Sequence, residues 1–463
     1  TVTFVIINKA SDMKKYDLII IGGGRAANLA IEAGKQGRRV ALIEKEVLGG
    51  TCPNRGCVPS KLLIGYAEVA RQIKDAARFF IDVEIKNIDV EKMFAETNEW
   101  ISRVDPRYEE RLPESVDLFR GHARFLSNEA ISVNGDTLCA ESIVVATGSR
   151  SSPTGQKSEY PIWTSENLFP LSSPPKSITI IGGGYIACEL GSFFHAVGID
   201  TQLIVRGDRL LKLEDNEVSD IFTKEFSQEV PTAFNTSLES VTWSGGQFNV
   251  QLSNRDGLSS QRSSDALLFA TGRVPNTDDL GIENTDLLLD KKGFIKVDDN
   301  LQTSVPGVYA VGDVAGNFMF QHSASFEVSY LARKILESKS GPINYGMMPH
   351  AVFSDPEVAG VGETEESLLA QNIDYIKVVE PWSASARALA MKVDYPRTKL
   401  LVNKQGAVLG CHLIGPQATT LLHEVLPVLH VKNDVRVLAE TIHVHPGLSE
   451  VIQEAARRAT ELL

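Results

Sequence analysis

One pattern occurs twice in this chain, and it fixes most of what the chain can fold into. Tyr16-Asp17-Leu18-Ile19-Ile20-Ile21 is a short β-branched run that ends in Gly22-Gly23-Gly24-Arg25-Ala26-Ala27. A helical pattern follows to Gly37, then a second apolar run from Arg39 to Glu44. Beyond a Pro/Ser-rich stretch at 151–175 the order repeats: Ser177 to Ile181, Gly182-Gly183-Gly184-Tyr185, a helical pattern to Gly198, and Thr201 to Arg206. Strand, glycine turn, helix and strand make a βαβ unit, which places both strands parallel in one sheet.

The spacing G-x-G-x-x-A in the first copy (Gly22, Gly24, Ala27) lets the backbone turn tightly and approach a pyrophosphate, with the helix N-terminus favouring the anion. Glu44, 20 residues after Gly24, is placed to accept a hydrogen bond from a ribose hydroxyl. The second copy carries Gly182 and Gly184. Its strand ends differently: seven residues beyond the helix-closing glycine, Gly37 leads to Glu44 but Gly198 leads to Val205, followed by Arg206, Arg209 and Lys212. An acid holds a free 2′-hydroxyl and repels a 2′-phosphate, whereas cations pair with that phosphate. The first fold therefore suits FAD, and the second NADPH, with NADH the less favoured coenzyme.

Just downstream of the first copy lies Leu48-Gly49-Gly50-Thr51-Cys52-Pro53-Asn54-Arg55-Gly56-Cys57-Val58-Pro59-Ser60-Lys61. Along a regular helix, Cα atoms five positions apart are separated by about 7.5 Å, past the roughly 7 Å at which two cysteines bridge. The segment must bend, and Pro53 and Gly56 supply the means. Pro59-Ser60-Lys61-Leu62-Leu63 reads as the first turn of a helix, whose dipole favours a nearby thiolate. A bare C-x4-C is equally a structural disulfide or a pair of buried thiols; the nucleotide signature beside it favours redox chemistry.

Residues 62–120 read as helices and Val116 to Val145 as short strands split by Asn134-Gly135-Asp136. The first fold closes on Ala146-Thr147-Gly148 and the second on Ala270-Thr271-Gly272-Arg273-Val274-Pro275-Asn276. Gly312-Asp313 then returns to a strand and turn, where Asp313 can fix a polar cofactor chain. Composition shifts again after Gly341-Pro342 into strands and helices of a third domain. It ends in His443-Val444-His445-Pro446-Gly447-Leu448-Ser449-Glu450. Glu450 is spaced to orient His445 for proton transfer; from spacing alone a structural histidine is the simpler reading.

A net charge of −13 argues against nucleic acid. Five cysteines, an odd and low number, point to a reducing cytoplasmic compartment. No membrane span and no metal site are expected. Met13 is a natural start, so residues 1–12 read as an upstream extension.

Together these motifs resemble the FAD-dependent pyridine nucleotide-disulfide oxidoreductases, the family of glutathione reductase, mycothione reductase and dihydrolipoamide dehydrogenase. The resemblance covers essentially the whole chain from Tyr16. It implies an α/β fold of two Rossmann-like domains, for FAD (13–150 and 273–340) and NAD(P)H (151–272), plus a C-terminal α+β dimerisation domain (341–463). It implies an enzyme that reduces a low-molecular-weight disulfide through a Cys52–Cys57 redox pair, or alternatively an NAD-dependent dihydrolipoamide dehydrogenase. Cys57 then faces the flavin and Cys52 is the interchange thiol. Lys61, paired with Glu189, lies near the flavin, and Tyr185 lids the nicotinamide pocket. His445, held by Glu450, completes the site of the other subunit of a homodimer. FAD contacts fall to Gly22, Gly24, Ala27, Glu44, Gly50, Thr51, Lys61, Thr147, Gly148 and Asp313; NADPH contacts fall to Gly182, Gly184, Tyr185, Arg206, Lys212 and Gly272.

Overall fold

The computed structural model describes residues 13–171, 173–339 and 341–463. The expected extension at 1–12 lies outside the described residues. The chain forms two compact units: one holds residues up to 59, 98–152 and 272–344, the other 60–97, 153–271 and 345–463.

In the first unit, β1 (Met13–Ile21), α1 (Ala27–Lys35) and β2 (Val40–Glu44) realise the expected βαβ order. Five strands run parallel in the order Val116–Arg120, β2, β1, Asp136–Val145, Val308–Ala310. Both faces are covered: Leu18, Ile20 and Leu42 pack against Ala27 and Ala30, while Ile19, Ile21 and Ile43 pack on the opposite side with Phe125 and Ile131. That is why these strands read as unbroken apolar runs rather than alternating ones. The Asn134-Gly135 turn has both residues at positive φ (51° and 90°), as a two-residue hairpin between right-twisted strands requires.

The second unit carries the repeated nucleotide fold as four parallel strands in the order Thr232–Ala233, Asp200–Ile204, Ser177–Ile181, Ala266–Phe269. A three-stranded antiparallel sheet (236–264) belongs to the same unit. So does a five-stranded antiparallel sheet in the order 350–352, 358–362, 408–414, 397–402, 376–381. The helices Ala418–Val431, Val435–Glu440 and Glu450–Glu461 share its core through Leu421, Val425, Leu438, Ile452 and Ala456. The α/β class with an α+β C-terminal region follows directly. Among the described residues, no helix is long and apolar enough to cross a membrane.

Segment 60–97 groups with the second unit because its side chains are tied there: Arg71 donates to Ser192 Oγ at 2.8 Å and pairs with Asp355 at 3.4 Å, and Phe94 meets Phe193 at 6.0 Å between ring centroids.

A buried ion cluster holds this unit together internally. Lys399, 1% exposed, reaches Glu365 at 2.6 Å, Asp215 at 2.9 Å and Glu217 at 3.2 Å. Burial works against ionisation of Glu365, yet hydrogen bonds from Lys399, Tyr375 and Lys377 prevail and hold its carboxyl down at about 2. An acid whose pKa falls on folding stabilises above its unfolded value, near 4.5, and that contribution disappears as pH drops towards 2. Glu365→Gln should therefore lose about 1–2 kcal/mol at pH 7 after discounting for solvent screening. Between pH 5 and 2 its stability should fall less steeply than that of wild type; denaturant titrations at several pH values check both.

Candidate active site

The two glycine turns are built alike, and the structure separates what each glycine is for. Gly22 has φ +111°, and a Cβ on it would stand 2.3 Å from the carbonyl oxygen of Ala146. Gly182 has φ +140°, and its Cβ would stand 2.4 Å from the carbonyl oxygen of Ala270. The alanine of each Ala-Thr-Gly motif thus closes over the first glycine of its own fold, and neither position can hold a side chain. Gly184, in contrast, has nothing within 4 Å of a Cβ, and Gly24 meets only the Gly50 Cα at 3.6 Å. Protein packing does not require a glycine at Gly184 or Gly24, whereas close approach of a pyrophosphate does. Helices α1 and Tyr185–Ala196 start with no side-chain cap, so no side chain of the protein occupies the anion position at either helix start.

The middle glycines confirm the alignment of the two strand ends. A Cβ on Gly23 would meet Glu44 Cβ at 3.0 Å, and one on Gly183 would meet Val205 Cγ1 at 2.9 Å. Gly49 N–H donates to the Gly23 carbonyl and Leu211 N–H to the Gly183 carbonyl, both at 2.8 Å. Val205 therefore occupies the place of Glu44. The Glu44 carboxylate accepts from Gly23 N–H at 2.7 Å and Glu46 N–H at 2.8 Å, which fixes the acid at the rim of the turn. Of the three cations expected beside Val205, Arg206 and Lys212 are exposed. Arg209 is drawn away, donating to Asn216 Oδ1 at 2.8 Å and pairing with Asp220 at 3.3 Å.

The dithiol segment bends as its residues demand. Thr51–Arg55 forms a short helix, α2, and Cys57–Lys74 a long one, α3, with Gly56 between them at φ −126°, ψ −117°. Helix α3 starts at Cys57, two residues before the start that Pro59 suggested. Proline costs nothing there, because the first N–H groups of a helix lack intrahelical partners. Cys52 is half-buried and Cys57 exposed. Sequence reasoning missed Asn54: it is buried and donates to the carbonyls of Leu48 at 2.9 Å and Gly50 at 2.8 Å, stitching the turn from inside. Asp105 holds the entry by accepting from Leu48 N–H at 2.7 Å. Gly50, at φ +69°, faces Gly24, and a Cβ on it would stand 2.8 Å from the Gly24 Cα.

Lys61 lies one turn after Cys57 on α3 and donates to both carboxylate oxygens of Glu189, at 2.7 and 2.8 Å. Glu189 is 6% exposed. A residue absent from the sequence reading completes this pair: Phe353 N–H donates to Glu189 Oε1 at 3.0 Å, and the Phe353 ring lies 4.7 Å from the Lys61 ammonium. Thr147 and Asn276 bind reciprocally, Thr147 Oγ1 donating to the Asn276 carbonyl at 2.9 Å and Asn276 Nδ2 to the Thr147 carbonyl at 2.8 Å. This brings strands 149–151 and 273–275 together as a ribbon flanked by Gly148 and Gly272. Asp313 accepts from Ser149 Oγ and lies 3.9 Å from Arg273. Ser149 is thus a third residue the sequence did not flag.

His445 Nδ1 donates to Glu450 Oε1 at 2.8 Å, and Glu450 Oε2 accepts from Gly447 N–H at 3.0 Å. The His445 hydrogen bond, aided by Gly447 N–H, holds the Glu450 carboxyl below the usual range. The His445 side chain is 76% exposed, and with Nδ1 engaged, Nε2 is the nitrogen left to exchange a proton. His443 differs: its side chain is 5% exposed, Nδ1 is 2.8 Å from the Thr441 carbonyl, and Nε2 is bonded to Glu424.

A dinucleotide fold with an acid-ended second strand, a second such fold without one, and a C-x4-C pair at the bend between α2 and α3 point to a flavoprotein disulfide oxidoreductase. The chain belongs to the pyridine nucleotide-disulphide oxidoreductase family, whose main model matches residues 16–327 and whose dimerisation domain matches residues 348–456. It is 31% identical to a dihydrolipoyl dehydrogenase of Buchnera aphidicola subsp. Acyrthosiphon pisum, over 94% of either chain. It is 33% identical to a glutathione reductase of Burkholderia cepacia, over 95% of this chain and 98% of that one. Among solved structures, the HOCl-induced flavoprotein disulfide reductase RclA from Escherichia coli superposes with a TM-score of 0.83 at 27% identity, covering 96% of this chain and 99% of its own. The enzyme is thus a flavin-dependent pyridine nucleotide-disulfide oxidoreductase, and the glycine turn at Gly22 to Gly24 with the anchored Glu44 fits FAD.

The glycine assignments predict a split between two variants. Gly182→Ala should lose roughly 2–5 kcal/mol through strain and overpacking. Gly184→Ala should leave thermal stability unchanged and weaken pyridine nucleotide binding, read by thermal melts and nucleotide titration.

Proposed function

We propose that the enzyme reduces a low-molecular-weight disulfide with NADPH, in the balance NADPH + H⁺ + RSSR giving NADP⁺ and two RSH. What carries the coenzyme assignment is Val205, which stands against Gly183 where Glu44 stands against Gly23, with exposed Arg206 and Lys212 beyond it. No carboxylate there repels a 2′-phosphate, and two cations are available to pair with it.

FAD, when bound, supplies the relay by which two electrons pass from a nicotinamide to a dithiol. Cys57, at the first residue of α3, would be the thiol that takes up those electrons, and Tyr185, 43% exposed at the head of its helix, would gate the nicotinamide. Lys61, held by Glu189, would supply the positive charge that offsets negative charge on the reduced cofactor. The Cys52 thiolate attacks one sulfur of the substrate and releases the first thiol, leaving a mixed disulfide. Cys57 then attacks the Cys52 sulfur, releasing the second thiol and restoring the Cys52–Cys57 disulfide. The partner subunit's His445, held through Nδ1 by Glu450, gives and takes the protons at Nε2.

The second reading is dihydrolipoamide oxidation with NAD⁺, supported by relatives that bear the name dihydrolipoyl dehydrogenase at 31–32% identity. Anaerobic reduction of the flavin by each coenzyme separates the two: a strong preference for NADPH supports the proposal, and a large preference for NADH overturns it. A panel of oxidised thiols with NADPH then identifies the substrate. His445→Gln should cut disulfide turnover about 10²–10⁴-fold and leave coenzyme-driven flavin reduction at its wild-type rate. Cys57→Ser should abolish the long-wavelength thiolate–flavin band.

A further inference from the structure

The helix Asn216–Glu229 follows the loop that carries Arg206 and Lys212, and its cap is unlike an ordinary one. Asp215 is fully buried. Its Oδ1 accepts from Glu217 N–H at 3.1 Å, as a capping residue does, and also from the Lys399 ammonium at 2.9 Å. Its Oδ2 accepts from Glu365 N–H at 3.1 Å. The neighbour Asn216 donates its N–H to Glu366 at 3.3 Å, and Glu214 accepts from His350 Nε2 at 2.7 Å. Lys399, Glu365, Glu366 and His350 all lie in the C-terminal region of the chain, on or beside the five-stranded sheet.

The other end of the same loop is pinned to the glycine turn. Leu211, held at φ +48°, donates its N–H to the Gly183 carbonyl. Leu210 donates its N–H to Thr223 Oγ1 at 2.9 Å and accepts from Ser219 Oγ at 2.6 Å. Between the two anchors only Lys212 and Leu213 stand exposed. Lys212 therefore has its backbone fixed on one side by the glycine turn and on the other by the C-terminal sheet.

We propose that Lys399 is a positioning residue for coenzyme recognition: by holding Asp215 it sets where Lys212 meets the 2′-phosphate of NADPH. The inference rests on the NADPH reading above. A buried ammonium is a costly way to gain stability alone, since apolar residues of similar volume often do as well. What it adds is direction, because three carboxylates converge on it in a single geometry.

The test compares the NADPH:NADH ratio of kcat/KM in wild type, Lys399→Met, Lys399→Arg and Glu214→Gln, all as FAD-loaded enzyme. Lys399→Met should raise KM for NADPH about tenfold with kcat near wild type, leaving the NADH constants within about twofold, the pattern of lost binding to one coenzyme. Lys399→Arg should recover some of the ratio. Glu214→Gln, which takes the charge from the outer anchor without stranding a buried lysine, should lower the ratio about threefold. If Lys399→Met fails to fold, Glu214→Gln decides alone. Equal losses for both coenzymes, or an unchanged ratio, overturn the proposal. A wild type that prefers NADH overturns the coenzyme reading and this inference together, and is seen before any variant is measured.

Discussion

Two backbone contacts set the frame for everything else: the Ala146 carbonyl against Gly22 and the Ala270 carbonyl against Gly182. Each joins the end of one parallel strand to the turn leaving its neighbour, at a separation no Cβ fits. The turn cannot drift outward, because Gly22 N–H is also held by the Ile43 carbonyl and Gly182 N–H by the Ile204 carbonyl. The helix that follows starts with no side-chain cap, beside the open side of Gly24 or Gly184. An anion site results from strand packing rather than from any charged side chain. That explains how one scaffold serves twice in a chain of net charge −13.

With the scaffold duplicated, the two folds differ at the strand-end residue that packs on the middle glycine, Glu44 in one and Val205 in the other. A carboxylate there, as at Glu44, is used up partly by the protein itself, through Gly23 and Glu46 N–H. This holds the acid in one rotamer, which lowers the entropy that any hydrogen bond it accepts from a ligand would cost. Val205 fills the same space with methyl groups. Beyond Val205 lies a loop anchored by residues far along the chain, among them Lys399 and His350.

Sequence carried the features of this enzyme that depend on short separations. Glycine spacing, the Asn134-Gly135 turn, the bend between Cys52 and Cys57 and the His445–Glu450 pair are all set within a few residues, where steric rules act directly. Partners brought by the fold were not legible. Phe353 reaches Glu189 across 164 positions, and Lys399 reaches Asp215 across 184. Nothing in Ala351-Val352-Phe353 or Thr398-Lys399-Leu400 marks those residues locally. Asn54 sat in plain view between the cysteines, but its role is to satisfy two carbonyls that only the folded turn exposes. Arg209 was misplaced for a related reason: three cations in seven residues look alike until Asn216 and Asp220 claim one of them.

Burial sorts the histidines that sequence could not. His412 is almost wholly enclosed, donates through Nε2 to the Glu363 carbonyl, and is held below its usual pKa by desolvation. His443 is enclosed between Glu424 and Thr441, so its ring cannot turn without breaking two bonds. His445 alone of these three combines an oriented ring with an exposed side chain, and its neighbours are revealing: Ile442 is 96% exposed and Val444 81%. Two β-branched side chains flanking the His445–Glu450 pair are poor companions for water, each worth about 1.5–3 kcal/mol if covered. A surface of that kind, in a chain whose residues 348–456 match a dimerisation domain, is best covered by a second copy. Burying the flanks would leave the His445 imidazole at the seam, in a drier setting where its hydrogen bond to Glu450 is stronger than in open solvent.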